Sequence, residues 1–201
     1  MLLNALFYLC GMLSGSGNIT PNVGSSVETG ARASKKESDS DIGYVLIMAG
    51  SGSDREHIKK ITDSLDTYEI PHRVRICSAH KQPDKLVGLI LQYNSDRNLV
   101  VAVTVAGGPD ALSGSLSYNA LFPVISCPPD AIDGRHNESC LNNPPGSSNA
   151  YIAKPGNVGK FVAQIYARKD SRIREVLKKE NAEKIRSLEK ADLEAMAGGV
   201  K

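Results

Sequence analysis

Ser78, His80 and Lys81 place a hydroxyl, an imidazole and an ammonium group within four positions of the sequence. They follow residues 73–76, where arginines alternate with apolar residues in the pattern of a β-strand. Pro83 then suits the first position of a helix, where its missing N–H group is not needed. Ligands of open parallel α/β sheets bind at the carboxyl ends of strands, so these side chains are candidates for a binding or catalytic site. A histidine at a strand end is more often structural, so this interpretation needs support from elsewhere in the chain.

A second loop of small residues, Gly50–Asp54, follows an apolar run at 44–48 that predicts a buried strand. Ser53 and Glu56 have the spacing of a helix capping box. A strand, a loop and a helix N terminus in this order present backbone N–H groups and a positive dipole end to an anion. The loop lacks the third glycine of a dinucleotide fingerprint and the Gly-Lys-Ser/Thr of a Walker loop. Taken alone, it also fits a tight turn between a strand and a helix.

The elements that must position these loops can be predicted from apolar periodicity. Three short apolar runs and the alternating segment at 73–77 predict four strands, and an apolar helical stripe follows each of the first three. This alternation predicts an α/β fold with a doubly wound parallel sheet. The predicted strands cover 44–48, 73–77, 99–105 and 122–127, and the predicted helices cover 53–68, 83–93, 111–119, 158–165 and 170–196.

The third predicted strand ends at another turn of small residues, Ala106–Asp110. Three successive strand ends therefore carry small residues and hydroxyls, which together would build one crevice. Residues 130–156 show almost no periodicity, and a loop of this length is usually functional or mobile. The helix predicted at 170–196 has a narrow apolar stripe within a highly charged surface. That stripe must pack either on its own domain or on a neighbouring subunit.

The chain has 201 residues, enough for one domain with a core of its own. We predict a disordered or non-native extension at 1–42, a folded domain at 43–168 and a helical tail at 169–201. The formal net charge is +2 and the basic residues are scattered, which argues against binding to nucleic acid or membranes. The cysteines show no metal-ligand spacing, so we expect reduced thiols, no metal site and a cytoplasmic location. They are Cys10, Cys77, Cys127 and Cys140.

Four segments, in this order and spacing, resemble the phosphoribosylaminoimidazole carboxylase family, also called the PurE-type family. The resemblance covers residues 44–168. The sequence Ser-Ala-His-Lys is similar to the branch that uses CO2 directly, whereas an arginine in place of the lysine typifies the branch that rearranges an N5-carboxylated intermediate. The segments are Gly50–Asp54, Ser78–Lys81, Ala106–Gly107 with Ala111–Gly114, and Phe122–Pro129.

The resemblance implies a fold, a reaction and an assembly. The fold would be a three-layer α/β/α sandwich with a flavodoxin-like, mainly parallel sheet and a C-terminal helix. The reaction would be the reversible carboxylation of 5-aminoimidazole ribonucleotide (AIR) with CO2 to its 4-carboxy derivative in de novo purine biosynthesis. It would need no ATP, metal or other cofactor. The protein would form a homo-octamer in which the C-terminal helix reaches a neighbour.

The resemblance also implies roles for individual residues around the reacting carbon. His80 would carry the proton that C4 of AIR loses after attack on CO2, since an imidazole pKa near neutrality suits both directions. Lys81, as a point charge, and Ser78 would position the substrate or the new carboxylate. Ser117 and Asn119 match the family pattern for substrate binding, and both would equally suit the end of a short helix.

A second group of residues would bind the rest of the substrate. Ser51, Ser53 and Asp54 would hold the 5′-phosphate and ribose at the helix N terminus, with Asp54 better suited to ribose hydroxyls than to phosphate. Gly107 and Gly108 would let backbone N–H groups approach the carboxylate, as an oxyanion site requires. The remaining histidines have no such neighbours, so we interpret them as surface or packing residues. They are His57, His72 and His136.

The sequence departs from the family at Ala106–Asp110. These residues read Ala-Gly-Gly-Pro-Asp, where the direct-carboxylating branch has Ala-Gly-Arg-Ser-Asn, so an expected guanidinium is missing. Either Arg135 or another residue substitutes for it, or the substrate differs, or activity is reduced. The alternatives to a CO2-using carboxylase are an N5-carboxyaminoimidazole ribonucleotide mutase, a non-catalytic nucleotide-binding paralogue, and a carboxylase of another heterocycle.

Overall fold

The structure, a computed structural model, describes residues 42–130 and 134–198. The extension predicted at 1–42 therefore lies outside the described residues except for Ile42, as does Cys10. The described cysteines, Cys77, Cys127 and Cys140, are free and buried, and reduced thiols are among the most often buried side chains.

The described residues form one parallel sheet of five strands in the order β2-β1-β3-β4-β5. The four predicted strands are present, and the doubly wound topology is confirmed. The fifth strand falls in the segment predicted to be irregular. It has only three residues, none of them buried, so it produces neither an apolar run nor an alternating pattern. The strands are β1 (Tyr44–Ala49), β2 (His72–Ile76), β3 (Leu99–Val105), β4 (Val124–Ser126) and β5 (Asn149–Tyr151).

Helices cover both faces of this sheet and complete the three-layer sandwich. Strand β1 lies between β2 and β3, and because helices pack on both sides of the sheet, all six of its residues are buried. Val45 and Ile47 join a core with α1, α4 and α5, whereas Leu46 and Met48 join a second core with α2 and α3. Burying each such side chain stabilises the fold by about 1.5–3 kcal/mol. The helices are α1 (Arg55–Asp66), α2 (Pro83–Asn94), α3 (Ala111–Asn119), α4 (Gly156–Tyr166) and α5 (Ser171–Met196).

The start of α1 differs from the predicted capping box. A short 3₁₀ turn, Gly52–Asp54, precedes the helix, and the Ser51 side chain caps it by accepting a hydrogen bond from the Ser53 N–H at 3.1 Å. The Ser53 hydroxyl instead lies 2.8 Å from the Ser51 hydroxyl. The prediction of a Ser53–Glu56 box was therefore wrong, because one extra turn of backbone lies between the loop and the α-helix.

The apolar stripe of α5 is only partly covered. Ile173 and Leu177 are buried in the core, but Ile185, Leu188 and Met196 are 57%, 59% and 78% exposed. The first two turns of the helix thus pack on the domain, while the apolar residues of the remainder face outward. Among the described residues, no helix is both long enough and apolar enough to cross a membrane.

Candidate functional site

Four loops leave the carboxyl edge of the sheet side by side. The backbone N–H of Cys77 donates to the Ala49 carbonyl, and the N–H of Gly50 donates to the Val105 carbonyl, each at 2.9 Å. The Cys127 N–H makes the same type of bond, at 2.9 Å, to the Thr104 carbonyl. Because these bonds continue the sheet pairing, the loops after β1, β2, β3 and β4 begin next to one another. This edge of the sheet is where the sequence predicts the ligand-binding crevice.

The loop after β1 carries two hydroxyls and a carboxylate at the start of α1. Ser51 and Ser53 are exposed and hydrogen-bonded to each other, and Asp54 is partly exposed. The Ser53 hydroxyl also lies 3.5 Å from Asp54 Oδ1. Backbone N–H groups at a helix N terminus attract anions, whereas a carboxylate repels them and accepts from hydroxyls. This loop can therefore bind a phosphate and an adjacent sugar.

The turn after β2 presents His80 and Lys81 at its tip. The Gln82 N–H donates to the Ser78 carbonyl at 2.8 Å, and the Lys81 N–H donates to the Ser78 hydroxyl at 3.3 Å. These bonds close the turn just before Pro83 begins α2. His80 and Lys81 are exposed, and within the described residues neither side chain has a hydrogen-bond partner. The imidazole therefore faces the outside of the domain, at the edge where the Gly50–Asp54 loop also lies.

The loop after β3 touches two neighbouring loops through Gly107. A Cβ atom added at Gly107 would lie 3.4 Å from Pro129 Cγ and 3.5 Å from Asp54 Oδ1. The loops after β1, β3 and β4 are thus in contact around this glycine. Gly107 and Gly108 are both exposed, and among the described residues their N–H groups have no hydrogen-bond acceptor. Two exposed glycines whose N–H groups have no acceptor, beside a loop that can bind a phosphate, suit a substrate anion.

Asp110, one of the departures from the family pattern, caps helix α3. Its Oδ1 accepts a hydrogen bond from the Ser113 N–H at 2.8 Å, and the residue is 6% exposed. Asn and Asp are equally good caps at this position, so the aspartate has a structural role that requires no change of substrate. Its second oxygen is buried and has no partner among the described residues.

Sequence reasoning missed Asn137 and Ser139, which contact the loop after β3. Asn137 Nδ2 donates to the carbonyls of Ala106 and Gly108, both at 3.1 Å, and the Ser139 hydroxyl accepts from the Asp110 N–H at 3.1 Å. The only sequence signal was that an unusually long loop tends to be functional. No pattern in residues 130–156 indicates which of its polar residues turn inward.

His57 packs between helix α1 and the end of strand β4. Its Nε2 lies 2.9 Å from the Cys127 carbonyl oxygen and 3.6 Å from Cys127 Sγ. Burial lowers the pKa of His57 below its ordinary value, so the ring is neutral at pH 7 and Nε2 can donate to the carbonyl. This contact ties the first turn of α1 to the end of β4. Burial raises the pKa of the Cys127 thiol to about 12, which favours the protonated thiol at neutral pH.

Ser117 and Asn119 lie away from this crevice. Helix α3 runs from the carboxyl ends of the strands toward their amino ends and carries both residues with it. There the Asn119 carbonyl accepts a hydrogen bond from Asn94 Nδ2, at the end of α2, at 2.9 Å. The Ser117 side chain is buried, with its hydroxyl 3.4 Å from the Gly114 carbonyl. One copy of the chain therefore brings eight of the ten predicted site residues to one edge and leaves these two at the other.

Two further side chains lie near the loop after β4. His136 Nδ1 is 2.8 Å from Asp130 Oδ1, and both residues are exposed. Arg135 is exposed and lies two positions before Asn137, on the segment that contacts the β3 loop. Across the described residues, no group of three or more His, Cys, Asp or Glu side chains is placed to hold a metal ion.

Comparison with known proteins finds a matching family model, sequence relatives and a similar solved structure. A family model described as AIR carboxylase matches residues 44–187. Phosphoribosylaminoimidazole carboxylase of Archaeoglobus fulgidus is 38% identical over 151 residues, covering 74% of this chain and 83% of the relative. The corresponding protein of Treponema denticola is 34% identical over 146 residues, covering 70% of this chain and 92% of the relative. The crystal structure of Treponema denticola PurE superposes with a TM-score of 0.70 and 29% identity, covering 75% of this chain and 97% of that one.

Proposed function

We propose that this chain, which belongs to the AIR carboxylase family, joins CO2 directly to C4 of AIR without ATP or a metal ion. Its family and relatives make it a carboxy-lyase of purine biosynthesis. The main observation in support of direct carboxylation is the turn after β2. Its exposed imidazole and exposed ammonium group lie at the same end of the sheet as a helix start suited to an anion.

The chemistry requires little beyond placement and proton transfer. AIR is an electron-rich enamine, so its C4 can attack the carbon of CO2, forming a C–C bond and a carboxylate. C4 must then lose its proton, and we assign the neutral His80 imidazole as the base that takes it. In decarboxylation the resulting imidazolium returns the proton to C4 as the C–C bond breaks. Because His80 is exposed, it can exchange this proton with solvent between turnovers.

We assign the other side chains according to charge. Ser51 and Ser53, with the N–H groups at the start of α1, bind the 5′-phosphate, and Asp54 accepts from ribose hydroxyls. Ser78 and Lys81 then lie near the base and the reacting carbon, where the ammonium group offsets the charge of the new carboxylate.

Gly107 is assigned to the same carboxylate as a backbone donor, with Gly108 beside it. The Gly107 N–H can donate to this carboxylate without a side chain, and this donor offsets the repulsion from the neighbouring Asp54 carboxylate.

The assembly is part of the proposal. Ser117 and Asn119 lie too far along α3 to join the crevice of their own chain, so we assign them to the site of a neighbouring subunit in a homo-octamer. The outward apolar residues of α5, within the tail at 169–201, support a role for this helix in packing on a neighbour. The free thiols support a cytoplasmic location.

One experiment separates the proposal from its alternatives. The purified chain is assayed with AIR at increasing bicarbonate/CO2, and separately with the N5-carboxylated nucleotide. We expect the rate to rise with CO2 and no turnover of the N5-carboxylated substrate, whereas the reverse result identifies a mutase. Turnover of neither compound indicates a non-catalytic paralogue or another heterocycle as substrate.

A matched variant tests the assigned base. His80→Asn should lower kcat by about 100-fold or more, which is the usual contribution of a positioned acid–base group. Since His80 is exposed and its side chain has no partner among the described residues, the melting temperature should stay within about 1 °C of wild type. His72→Asn, at the start of the neighbouring edge strand, is the control and should retain wild-type kcat. A His80→Asn enzyme with wild-type kcat would refute the assignment.

A further inference from the structure

Asn137 and Ser139 lie on one short segment and hold the loop after β3 through hydrogen bonds. Asn137 Nδ2 donates to two carbonyls of that loop, Ala106 and Gly108, at 3.1 Å each. Asn137 Oδ1 accepts from the Ser139 N–H at 3.2 Å and lies 2.8 Å from the Ser139 hydroxyl. These bonds fix the orientation of the amide, because a flipped amide would set its oxygen against two carbonyl oxygens.

Ser139 completes the contact from the other side. Its hydroxyl oxygen accepts from the Asp110 N–H at 3.1 Å and lies 3.2 Å from the Gly108 carbonyl oxygen. The single hydroxyl proton can go either to that carbonyl or to Asn137. Both ends of the Gly107–Gly108–Pro109 stretch are therefore held by side chains from one short segment.

This arrangement determines where the Gly107 N–H points. The peptide bond between Ala106 and Gly107 is planar and trans, so its C=O and N–H groups point in opposite directions. Since the Ala106 carbonyl points to Asn137, the Gly107 N–H must point away from Asn137. The Gly108 carbonyl precedes a proline, which has no N–H. Gly107 is therefore the donor whose direction Asn137 sets.

The direction of this donor matters because of Asp54. The Asp54 carboxylate lies next to Gly107, with Oδ1 3.5 Å from the position of an added Cβ atom. A substrate carboxylate that lost the Gly107 donor would still be repelled by Asp54. A small rotation of the loop should therefore weaken binding of a carboxylated nucleotide far more than binding of an uncarboxylated one.

We infer that Asn137 and Ser139 are positioning residues that aim the Gly107 N–H at the carboxylate on C4. The inference rests on the function proposed above and deepens it. It also accounts for carboxylate binding without the family arginine at position 108. The Gly107 N–H, oriented by Asn137 and Ser139, would replace part of the hydrogen bonding that a guanidinium provides. Neither side chain need touch the substrate for this role.

The test compares two nucleotides that differ only in the carboxylate. Dissociation constants for AIR and for 4-carboxy-AIR are measured by calorimetry on the full-length chain. Asn137→Asp keeps the side-chain shape but sets a carboxylate against two carbonyls. It should weaken binding of 4-carboxy-AIR by about 10-fold or more, with AIR changed less than about 2-fold. Ser139→Ala should act in the same direction, and Ser139→Thr, which keeps the hydroxyl, should restore tight binding.

A matched control comes from the same segment. Asn142 is exposed and makes no hydrogen bond to the β3 loop, so Asn142→Asp adds the same charge and should leave both constants unchanged. If Asn137→Asp does not fold, as judged by its melting curve, the Ser139 pair carries the test alone.

The possible failures are distinguishable. A wild-type chain that carboxylates AIR, combined with variants that weaken both nucleotides equally or neither, overturns the positioning role and leaves the function intact. A wild-type chain that binds and converts neither nucleotide overturns the function and this inference with it. Selective loss of 4-carboxy-AIR binding supports both.

Discussion

Replacing Gly159 with alanine tests how closely helix α4 must approach the helix that begins at the site. A Cβ atom added at Gly159 would lie 1.9 Å from the Ser64 carbonyl oxygen and 2.3 Å from its carbon. This is about 1.5 Å closer than ordinary van der Waals contact. The obstacle is helix backbone, which cannot rotate away as a side chain can. The substitution must therefore push α1 and α4 apart.

The magnitude follows from two losses. Overpacking of this kind typically destabilises a protein by about 1–3 kcal/mol, and a clash with backbone belongs at the upper end. Separation of the helices also lengthens the hydrogen bond from the Gly159 N–H to the Ser64 hydroxyl, now 3.0 Å, at a cost of about 1 kcal/mol. We expect the free energy of unfolding to fall by about 3 kcal/mol or more. Because α1 carries the Ser51–Asp54 turn at its start, the KM for AIR should rise as well.

Chemical denaturation and steady-state kinetics measure both effects. The control is Gly156→Ala in the first turn of the same helix, where an added Cβ meets nothing within 4 Å. Alanine has the higher helix propensity, so this variant should be unchanged or stabilised by up to about 1 kcal/mol. Equal unfolding midpoints for Gly159→Ala and Gly156→Ala would refute the close-approach reasoning.

Three further predictions concern the tail, the sugar and the missing guanidinium. Tyr68→Phe removes a 2.6 Å hydrogen bond to Glu180. This bond is the main cause of the lowered pKa of Glu180, whose ordinary value is 4.5, and Lys160 contributes less. The substitution should cost at most about 1 kcal/mol, since Glu180 is 43% exposed. A carboxyl group whose pKa is lowered by folding stabilises the folded protein at pH values above its ordinary pKa. Urea titrations should therefore show the difference in unfolding free energy between wild type and Tyr68→Phe at pH 7, and the difference should disappear below pH 4.5. Asp54→Asn should raise the KM for AIR by about 10-fold with little change in kcat, measured at saturating CO2. Arg135→Gln should leave the KM for AIR within about 2-fold; an increase of about 10-fold or more would show that Arg135 supplies the missing charge.

Much of the fold could be predicted because the core imposes regular patterns. The continuous run in β1 indicated a strand buried on both faces, and Val45 and Leu46 do face different cores. The predicted bounds of α3 match the structure at both ends, and its start is set by the Asp110 cap. β5 could not be predicted, since three partly exposed residues on a sheet edge carry no periodic signal.

The candidate site was predictable only where it follows the strand ends. Parallel topology brings the loops of Ser51, His80 and Gly107 to one edge whatever their side chains are. The contacts between loops are different, because they join residues far apart in sequence. His57 to Cys127 spans 70 positions and Asn137 to Ala106 spans 31. Spacing along the chain holds no information about such pairs.

The departure at Gly108–Asp110 is best understood through those contacts. Asp110 keeps the capping role that an asparagine would have, and the Gly108 carbonyl is engaged by Asn137 and lies near the Ser139 hydroxyl. An arginine at position 108 would add a positive side chain to the stretch of backbone that Asn137 and Ser139 contact here. In the site proposed here, Lys81, on the turn after β2, is the cation assigned to offset the charge of the new carboxylate. An enzyme arranged in this way loses a movable cation but retains a fixed donor, so its discrimination should depend more on the orientation of one loop than on net charge.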